Sequence, residues 1–483
     1  MLSPQQIMSA IAADKYSKRK KQAKVGQKYY EGKHDILEYR VFYIDKNGKL
    51  QEDLTKSNIR APHPFFQEIA DQEVAYILSG GIEFKSDSPE LEEYLKPYFN
   101  DCFLGELQEI ILDSIVRGFG YVYWYKNEKN ITQFCHADSM GIVEVKDGEA
   151  TDTVNDYIIR YYTVEVKDSQ QAVRVEVWDK NMTYYYIQSG GSLIKDDNVK
   201  INPCPHILYQ MDGQYYYEES SRLPFLRLDN NRYQKSGLAI IKPIIDDYDL
   251  MDCGLSNNLQ DIAEGIYVVK GFKGTSVDEL MWNVKSRKVI GVGEKGDLDI
   301  RTINIPYEAR KEKLELDEKN IYRFALAFNS AQSGDGNITN IVLLGRYTLL
   351  DMKAKKYIIR LKKFLKILLE IALEEINVQH GTSYDNDDIA IEINPVIPTN
   401  RKEDAEIELL EVQIRREKIN TVLDVESVID VKTLVKEICR VMELDYEEVK
   451  AALLEPDELA VIRKVLDNNE GVSEGSTEGT AEA

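Results

Sequence analysis

Apolar residues recur at helical spacing in several segments of the first 120 positions. Three segments have this spacing, and each is followed closely by a glycine: residues 4–30, Pro64–Leu78 and Leu104–Val116. The first segment also carries seven basic residues: Lys15, Lys18, Arg19, Lys20, Lys21, Lys24 and Lys28. We therefore expect an N-terminal helix with a solvated basic face, followed by two helices that pack on a core.

Strand patterns dominate residues 120–225. Runs of β-branched and aromatic residues are separated there by turn pairs such as Gly190-Gly191, which predicts an antiparallel β region. Nearer the N-terminus, Tyr39–Ile44 and Lys49–Leu54 flank Asn47-Gly48, a pair that favours a tight hairpin turn. The chain therefore combines helices with antiparallel strands and is assigned to the α+β class.

The second half alternates long helices with short strands. Residues 236–264 predict a long helix with six acidic residues and one basic residue, whereas residues 265–306 predict short strands with seven basic and five acidic residues. Helices are predicted from Glu308 to Phe328 and from Leu344 to Asn377, with a Gly/Ser/Asn-rich break between them. Three further segments complete the chain: a strand at Ile389–Asn394, helices over 400–466 and a disordered acidic tail over 467–483.

Charge narrows the possible partners of this 483-residue chain. With 61 Lys and Arg against 83 Asp and Glu, the formal net charge is -22, which argues against a protein that grips nucleic acid over its whole surface. The most apolar window, Phe364–Ile376, is interrupted by Lys366, Glu370, Glu374 and Glu375. We therefore expect a protein that is neither secreted nor membrane-spanning and that is made and used in a cytoplasm.

The surrounding sequence does not support the patterns that suggest cofactor or metal binding. Gly291-x-Gly293-x-x-Gly296 matches a dinucleotide-binding pattern, but a strand pattern follows it where phosphate binding requires a helix N-terminus. The five cysteines and five histidines lie apart from one another, so neither a disulfide framework nor a zinc site is predicted. We expect no cofactor and no bound metal.

Three aspartates in the acidic helix are the remaining candidates for chemistry. Asp246, Asp249 and Asp252 lie at i, i+3 spacing, which places neighbours close together and could hold a catalytic metal. The His, Lys or Gly-rich partners of such a site are not recognisable elsewhere in the chain. A solvent-facing acidic helix is the favoured interpretation.

The order of these elements resembles the portal proteins of tailed bacteriophages, in particular the branch of Gram-positive siphophages and related myophages. Five stretches carry the resemblance: YYEGKHDIL (Tyr29–Leu37), ILSGGIEF (Ile77–Phe84), RGFGYVYWY (Arg117–Tyr125), LAIIKPIIDDYDLMDCGLSNNLQDIAE (Leu238–Glu264) and LGRYTLLDMKAKK (Leu344–Lys356). The resemblance covers roughly residues 25 to 460.

The resemblance implies a portal fold with wing, stem, clip and helical crown, assembled as a ring. Its regions would be 1–235 (wing), 236–264 (stem helix), 265–306 (clip), 307–328 (second stem helix), 329–343 (channel loop), 344–378 (long helix), 379–399 (strand returning to the wing), 400–466 (crown) and 467–483 (tail).

By the same resemblance, twelve copies would form a ring at one capsid vertex, through which double-stranded DNA is packaged and later ejected. The implied partners are the terminase large subunit, a head-completion adaptor, and the major capsid and scaffold proteins, with no membrane and no catalytic residues. The protein would reside in the virion after assembly in the host cytoplasm.

Three sets of site residues follow from that role. The channel loop would present Ser333, Asp335, Asn337, Ile338 and Asn340 to passing DNA, while Asp246, Asp249 and Asp252 would form an acidic channel helix along which a polyanion slides without sticking. The clip would dock partners through Lys285, Arg287 and Lys288. Two alternatives remain open: a metal-dependent nucleic-acid enzyme that uses the aspartates, and a capsid adaptor that forms no channel.

Overall fold

The structure is a computed structural model, and it describes a defined part of the chain. The described residues are 2–45, 47–54, 56–146, 155–166, 170–218, 222–262, 266–272, 276, 292–301, 306–329, 340–397, 401–424, 431–442, 444, 446 and 449. The chain divides into two compact units. The first comprises Met1–Gly336 and Leu343–Ile397, and the second comprises Asn337–Val342 and Pro398–Ala483.

Helices and strands both occur throughout the described ranges, as the α+β assignment predicts. The α-helices are α1 (Pro4–Lys15), α2 (Lys18–Tyr30), α3 (Phe65–Leu78), α4 (Pro89–Leu95), α5 (Asp101–Arg117), α6 (Leu238–Ile262), α7 (Tyr307–Ala325), α8 (Asn340–His380), α9 (Arg401–Asp424) and α10 (Val431–Met442). The strands are β1 (Phe42–Ile44), β2 (Leu50–Glu52), β3 (Ile82–Lys85), β4 (Phe119–Lys126), β5 (Thr132–Ala137), β6 (Ile142–Val145), β7 (Tyr157–Val166), β8 (Gln170–Trp178), β9 (Met182–Ser189), β10 (Ser192–Lys195), β11 (Cys204–Pro205), β12 (Ile207–Met211), β13 (Gln214–Glu218), β14 (Phe225–Asp229), β15 (Ile266–Phe272), β16 (Val292–Arg301) and β17 (Ala390–Ile393).

The N-terminal segment is two helices, so the prediction of one helix over residues 4–30 is wrong. The chain breaks at Tyr16 and Ser17 because Ser17 is the N-cap of α2 and its side chain accepts a hydrogen bond from the backbone N–H of Lys20. Helix α2 then ends before Gly32, whose φ of +69° is the left-handed conformation that glycine adopts readily.

Lys20, one of the basic residues of this segment, points into the protein. Its ammonium donates hydrogen bonds to the backbone carbonyls of Ser139 (2.5 Å), Met140 (3.0 Å) and Ile142 (3.0 Å), and it lies 3.3 Å from a carboxylate oxygen of Asp14. Burial is the largest effect on its pKa, which falls to about 8. The solvated basic face predicted for this segment therefore excludes Lys20.

The predicted antiparallel β region is confirmed. Its largest sheet has the strand order β10-β9-β8-β7-β6, with β11 also paired to β9, and a second sheet has the order β14-β4-β5. Helix α1 covers the large sheet through Ile7, which is fully buried against Val143, Ile159 and Val175. The predicted hairpin forms between β1 and β2, and Gly48 in its turn has a φ of +76°.

The main core of the first unit surrounds α8 and α5. Residues spaced at helical intervals on one face of α8 are fully buried: Ala354, Leu361, Leu365, Leu368 and Ala372. The helix begins at Asn340, four residues before the predicted start at 344, so residues 340–343 do not belong to a loop. Its C-terminal end is followed by β17, which pairs antiparallel with β3, as Ile391 opposite Phe84 illustrates.

Helix α5 ends at a close approach of two chain segments. Gly118 there has a φ of +95°, and a Cβ atom at this position would lie 2.3 Å from the carbonyl oxygen of Gln234. The contact brings the end of α5 beside the residues that lead into α6, and therefore positions the start of the acidic helix.

The remaining predicted elements differ mainly at their ends. Helix α7 stops at Ala325, where a helix to Phe328 was predicted, and Leu326 after it has a φ of +56°. Strands β15 and β16 pair antiparallel, and β16 contains Gly293 and Gly296, in agreement with the strand interpretation of that motif. In the second unit, α9 and α10 pack together, and Leu434 and Cys439 of α10 are buried.

Candidate functional site

Helix α6 carries the three aspartates that the sequence singles out. At 3.6 residues per turn, steps of three residues rotate the side chain by about 60° each, so Asp246, Asp249 and Asp252 span about 120° of the helix circumference. Their side chains are accordingly unequal: Asp246 is 37 % exposed, Asp252 is 33 % exposed and Asp249 is fully buried. The expectation of a solvent-facing acidic helix is therefore wrong for Asp249.

Two histidines enclose the buried carboxylate. Nδ1 of His34 lies 2.6 Å from Oδ2 of Asp249, and Nδ1 of His63 lies 2.8 Å from Oδ1. The backbone N–H of His63 donates a further hydrogen bond of 3.0 Å to Oδ1. Both carboxylate oxygens are thus occupied by protein donors, which is how a fully buried charge is tolerated.

Opposing effects set the pKa values in this cluster. Burial alone would raise the pKa of Asp249, but the hydrogen bonds from His34 and His63 outweigh it and hold that pKa below its usual value. The hydrogen bond to Asp249 raises the pKa of His63, and the nearby charge of Asp252 adds to the increase. Asp249 is therefore a carboxylate that only accepts hydrogen bonds.

A strap formed by residues 57–63 runs along α6 beside this cluster. Four backbone N–H groups of the strap donate to four side chains of α6: Ser57 to Asp261 (3.1 Å), Ile59 to Asn257 (2.6 Å), Ala61 to Cys253 (3.2 Å) and His63 to Asp249 (3.0 Å). The donors are every second residue of the strap and the acceptors are every fourth residue of the helix. We call this arrangement the ladder.

The ladder works because two periodicities coincide. Two residues of extended chain advance about 6.6 Å, and four residues of α-helix advance about 6.0 Å. Alternate N–H groups of an extended segment therefore meet successive turns of one helix face. The strap pairs with no strand of the described residues, so these side chains satisfy its backbone donors in place of a sheet.

Asp246 belongs to a second, partly exposed network at the start of α6. It accepts hydrogen bonds from the Tyr29 hydroxyl and from the Lys242 ammonium, the latter at 2.6 Å. Lys242 also binds Asp35 at 2.7 Å. Burial lowers the pKa of Lys242, but the hydrogen bonds to Asp246 and Asp35 outweigh this effect and the pKa is raised. The network attaches α6 to the end of α2.

Helix α7 packs against α6 through complementary charges. The Lys313 ammonium lies 2.5 Å from an Asp247 carboxylate oxygen on α6 and also contacts Asp317 on its own helix. Further along α7, the Tyr322 hydroxyl donates a 2.6 Å hydrogen bond to Glu68 of α3. The two helices are therefore joined to each other and to the core.

The other sequence-predicted site residues lie elsewhere. Ser333, Asp335, Asn337 and Ile338 of the predicted channel loop, and Lys285, Arg287 and Lys288 of the predicted clip, lie outside the described residues. Asn340 is the first residue of α8. Within the described ranges, His, Cys and acidic side chains do not form a group of three or more that could hold a metal ion. No helix of those ranges is long and apolar enough to span a bilayer.

Comparison with known proteins identifies the family. The family model described as "Phage portal protein, SPP1 Gp6-like" matches residues 10–433. The chain belongs to this portal protein family. Its expected membership of a Gram-positive phage branch is confirmed by the hosts of two curated relatives, both named portal protein.

The two relatives are similar to this portal family member over much of its length. The portal protein of Bacillus phage SPP1 is 28 % identical over 333 residues, which cover 68 % of this chain and 65 % of that protein. The portal protein of Clostridium phage phiCD119 is 24 % identical over 363 residues, which cover 72 % of this chain and 78 % of that protein. The match thus spans less than two thirds of the SPP1 protein.

Among solved structures, a chain of the "Neck of native GTA particle computed with C12 symmetry" is 12 % identical, with a TM-score of 0.37. The aligned region covers 73 % of this chain and 85 % of that chain. This likeness is too weak to add to the description of the fold.

The site of this portal family member contains residues that sequence reasoning missed. His34 and His63 were not linked to Asp249, from which they are separated by 215 and 186 residues. A signal for the ladder is nevertheless present in the sequence. Asp249, Cys253, Asn257 and Asp261 place side chains able to accept hydrogen bonds at every fourth position of a helix.

Proposed function

We propose that this protein forms a ring-shaped conduit at one capsid vertex, through which double-stranded DNA is packaged and later ejected. The observation that carries the proposal is membership of the portal family over residues 10–433. A dodecamer is the expected ring. The protein would be assembled in the host cytoplasm and reside in the virion.

The acidic character of α6 suits such a conduit. A lumen lined by negative charge repels DNA phosphates, whereas a basic lumen would bind them and slow translocation. Asp246 and Asp252 are partly exposed and are the residues of the predicted set that we assign to this surface. Asp249 is buried, so its role is to hold α6 against the strap.

We assign roles to two further regions, the channel loop and the clip. Residues 329–339 would contact DNA as the channel loop, through Ser333, Asp335, Asn337 and Ile338, with Asn340 at the start of α8. Lys285, Arg287 and Lys288 of the clip would dock the terminase large subunit and then the head-completion adaptor. The major capsid and scaffold proteins would surround the ring.

We further propose that the protein has no catalytic activity. Two of the candidate metal ligands already have protein partners. Asp249 binds His34 and His63, and Asp246 binds Tyr29 and Lys242. Carboxylates held in this way do not present the open pair of ligands that a two-metal nuclease requires.

Imaging of the purified full-length protein tests the proposal. Negative-stain electron microscopy should show rings with a central hole, and light scattering should give the mass of a ring of about twelve copies of the 55.5 kDa chain. A protein that remains a monomer or dimer at all protein and salt concentrations would contradict it. Magnesium-dependent nuclease activity that Asp246→Asn abolishes would favour the enzyme alternative.

A further inference from the structure

Helix α8 exposes a continuous stripe on the side opposite its buried face. The stripe residues are spaced by alternating steps of four and three and are all exposed: Gly345, Leu349, Met352, Lys356, Ile359, Lys363 and Lys366. Leu349 is 38 % exposed, while Met352 and Ile359 are each 61 % exposed. We call this set the α8 stripe.

The α8 stripe follows the spacing of one helix face, with apolar Leu349, Met352 and Ile359 and with lysines at three other positions. Gly345, Met352, Ile359 and Lys366 are each seven residues apart, and Leu349, Lys356 and Lys363 interleave with them at the same interval. The buried residues of α8 already pack on the core of its own unit. The helix therefore has two sides, and among the described residues of that unit only one of them is buried.

The α8 stripe lies in a strongly basic segment of an acidic protein. Residues 346–366 contain eight basic residues and a single acidic residue, Asp351, whereas the whole chain has a net charge of -22. Lys353 and Lys355 are paired with Glu73 and Asp351, each at 2.7 Å. The lysines of the stripe itself, Lys356, Lys363 and Lys366, form no ion pair with the described residues.

We propose that the α8 stripe is a contact surface for a second copy of this chain, which covers it with an acidic helical face. This proposal rests on the ring assembly proposed above and names one of its subunit interfaces. The exposed side of α7 carries three carboxylates, Glu308, Glu312 and Glu315, beside Leu316, which is 53 % exposed. It also carries Lys311, which lies 3.9 Å from Glu315, so its net charge remains negative. A basic face that meets a different, acidic face forms a heterologous contact, which is the type that closes a ring.

The apolar residues favour a protein partner over DNA. Exposed lysines are sufficient to bind the phosphates of a DNA backbone, and that backbone offers little apolar surface to Met352 or Ile359. A helix that buries these side chains gains roughly 25 cal/mol for each Å² of apolar area removed from water. Exposed apolar side chains with lysines interspersed on the same helix face therefore fit a helical, acidic partner.

A charge-reversal experiment tests the electrostatic part of the contact. The double variant Lys356→Glu/Lys363→Glu is compared with Lys195→Glu/Lys200→Glu, which makes the same charge change at two exposed residues of the first unit outside α8. The α8 variant should lower the fraction of protein in rings about tenfold at about 0.15 M salt, while the control keeps its rings. Circular dichroism should show wild-type helix content in both, since all four lysines are exposed.

Photo-crosslinking tests the contact directly. Benzoylphenylalanine is placed at Ile359 in otherwise wild-type protein, and isotopically light and heavy copies are mixed before assembly. Mass spectrometry of irradiated rings should find adducts that join a light and a heavy chain. The same label at Ile194, which is 54 % exposed on β10, is the control and should give no adduct between copies above background.

The possible results distinguish failure of the α8 interface from failure of the proposed ring. Rings in the α8 variant at the wild-type level, or loss of rings without an adduct between copies, would overturn the α8 interface and leave the proposed function standing. An adduct at Ile359 to DNA in packaged particles, without one to a second copy, would also overturn it. Failure of the wild-type protein to form any ring would overturn the proposed function and the interface together.

Discussion

Nδ1 of His34 lies 2.6 Å from a carboxylate oxygen of Asp249, and both side chains are fully buried. Because the lowered pKa of Asp249 leaves its carboxylate able only to accept, Nδ1 of His34 carries the proton. The Tyr29 ring stacks on the face of the His34 ring, with centroids 4.4 Å apart. The pair therefore joins the segment after α2 to the middle of α6, the acidic helix of the proposed conduit.

Removal of the buried carboxylate should weaken the protein markedly. Asp249→Ala leaves His34 and the His63 backbone N–H without their acceptor, so we expect a loss of about 3 kcal/mol in the free energy of unfolding by urea. Asp252→Ala is the matched control, because Asp252 is partly exposed and its carboxylate makes a longer contact, 3.4 Å from Nε2 of His63. Its loss should cost about 1 kcal/mol or less. Equal losses in the two variants would contradict the central role of Asp249.

The same cluster should make stability depend on pH. The pKa of His63 is raised in the folded state, so its contribution is complete below the ordinary histidine pKa of about 6.5 and is lost as pH rises through the raised value. The pKa of Asp249 is lowered, so its contribution is present above about 3.9 and is lost as pH falls through the lowered value. The cluster is therefore most stabilising between these two limits.

A histidine variant isolates this effect from other titrating groups, which include His136 beside Asp113. The difference in unfolding free energy between wild type and His63→Gln should be larger at pH 6 than at pH 8. Denaturant unfolding at both pH values measures it. A difference that does not change with pH would show that His63 does not titrate against Asp249.

Lys20 supplies a second stability test. Lys20→Met keeps most of the side-chain length but removes the donor to the carbonyls of Ser139, Met140 and Ile142. Met140 keeps a hydrogen bond from the Tyr161 hydroxyl at 3.0 Å, whereas loss of the donor to a buried carbonyl is costly at the other two. We expect a loss of about 2 kcal/mol or more in thermal or urea unfolding. Lys21→Met, on the neighbouring exposed position, is the control and should change stability by less than about 0.5 kcal/mol.

Changes in the predicted channel loop should affect packaging without affecting assembly. Alanine at Asn337, Ile338 and Asn340 should leave rings intact and lower the amount of DNA packaged. Lysine at Asn337 and Asn340 should slow or stop translocation, because added positive charge binds phosphates. A packaging assay with DNA protection from nuclease measures both effects, and wild-type packaging in both variants would reduce this segment to a connector.

The clip makes a separate prediction about docking. Arg287→Glu with Lys288→Glu converts a local excess of two positive charges in residues 265–306 into an excess of two negative charges. Capture of the head-completion adaptor by the ring should weaken at low salt, where charge attraction is least screened. The comparison at high salt is the control. Capture that is the same at low salt for wild type and variant would contradict a docking role for these residues.

Local sequence signals predicted most helices and strands, whereas contacts between residues distant in the sequence could not be predicted from them. Asn47-Gly48 located the hairpin and Gly118 located the end of α5, since both depend on conformations that these residue types favour. The break at Ser17 was missed although serine is a strong N-cap residue, because the helical spacing continues across it. The burial of Asp249 was missed for a different reason: its histidine partners come from distant segments, and helix spacing alone does not show which acid points inward.

The ladder also limits how the lengths of its two segments can change. One residue inserted into α6 between Cys253 and Asn257 would turn the rest of the helix by about 100° and carry Asn257 and Asp261 away from the strap. Four inserted residues would nearly restore the orientation but shift both acceptors by about 6 Å along the axis, a distance that two extra strap residues would match. We therefore expect insertions and deletions here to be tolerated only in linked sets, four residues in the helix with two in the strap, although the segments lie far apart in the sequence.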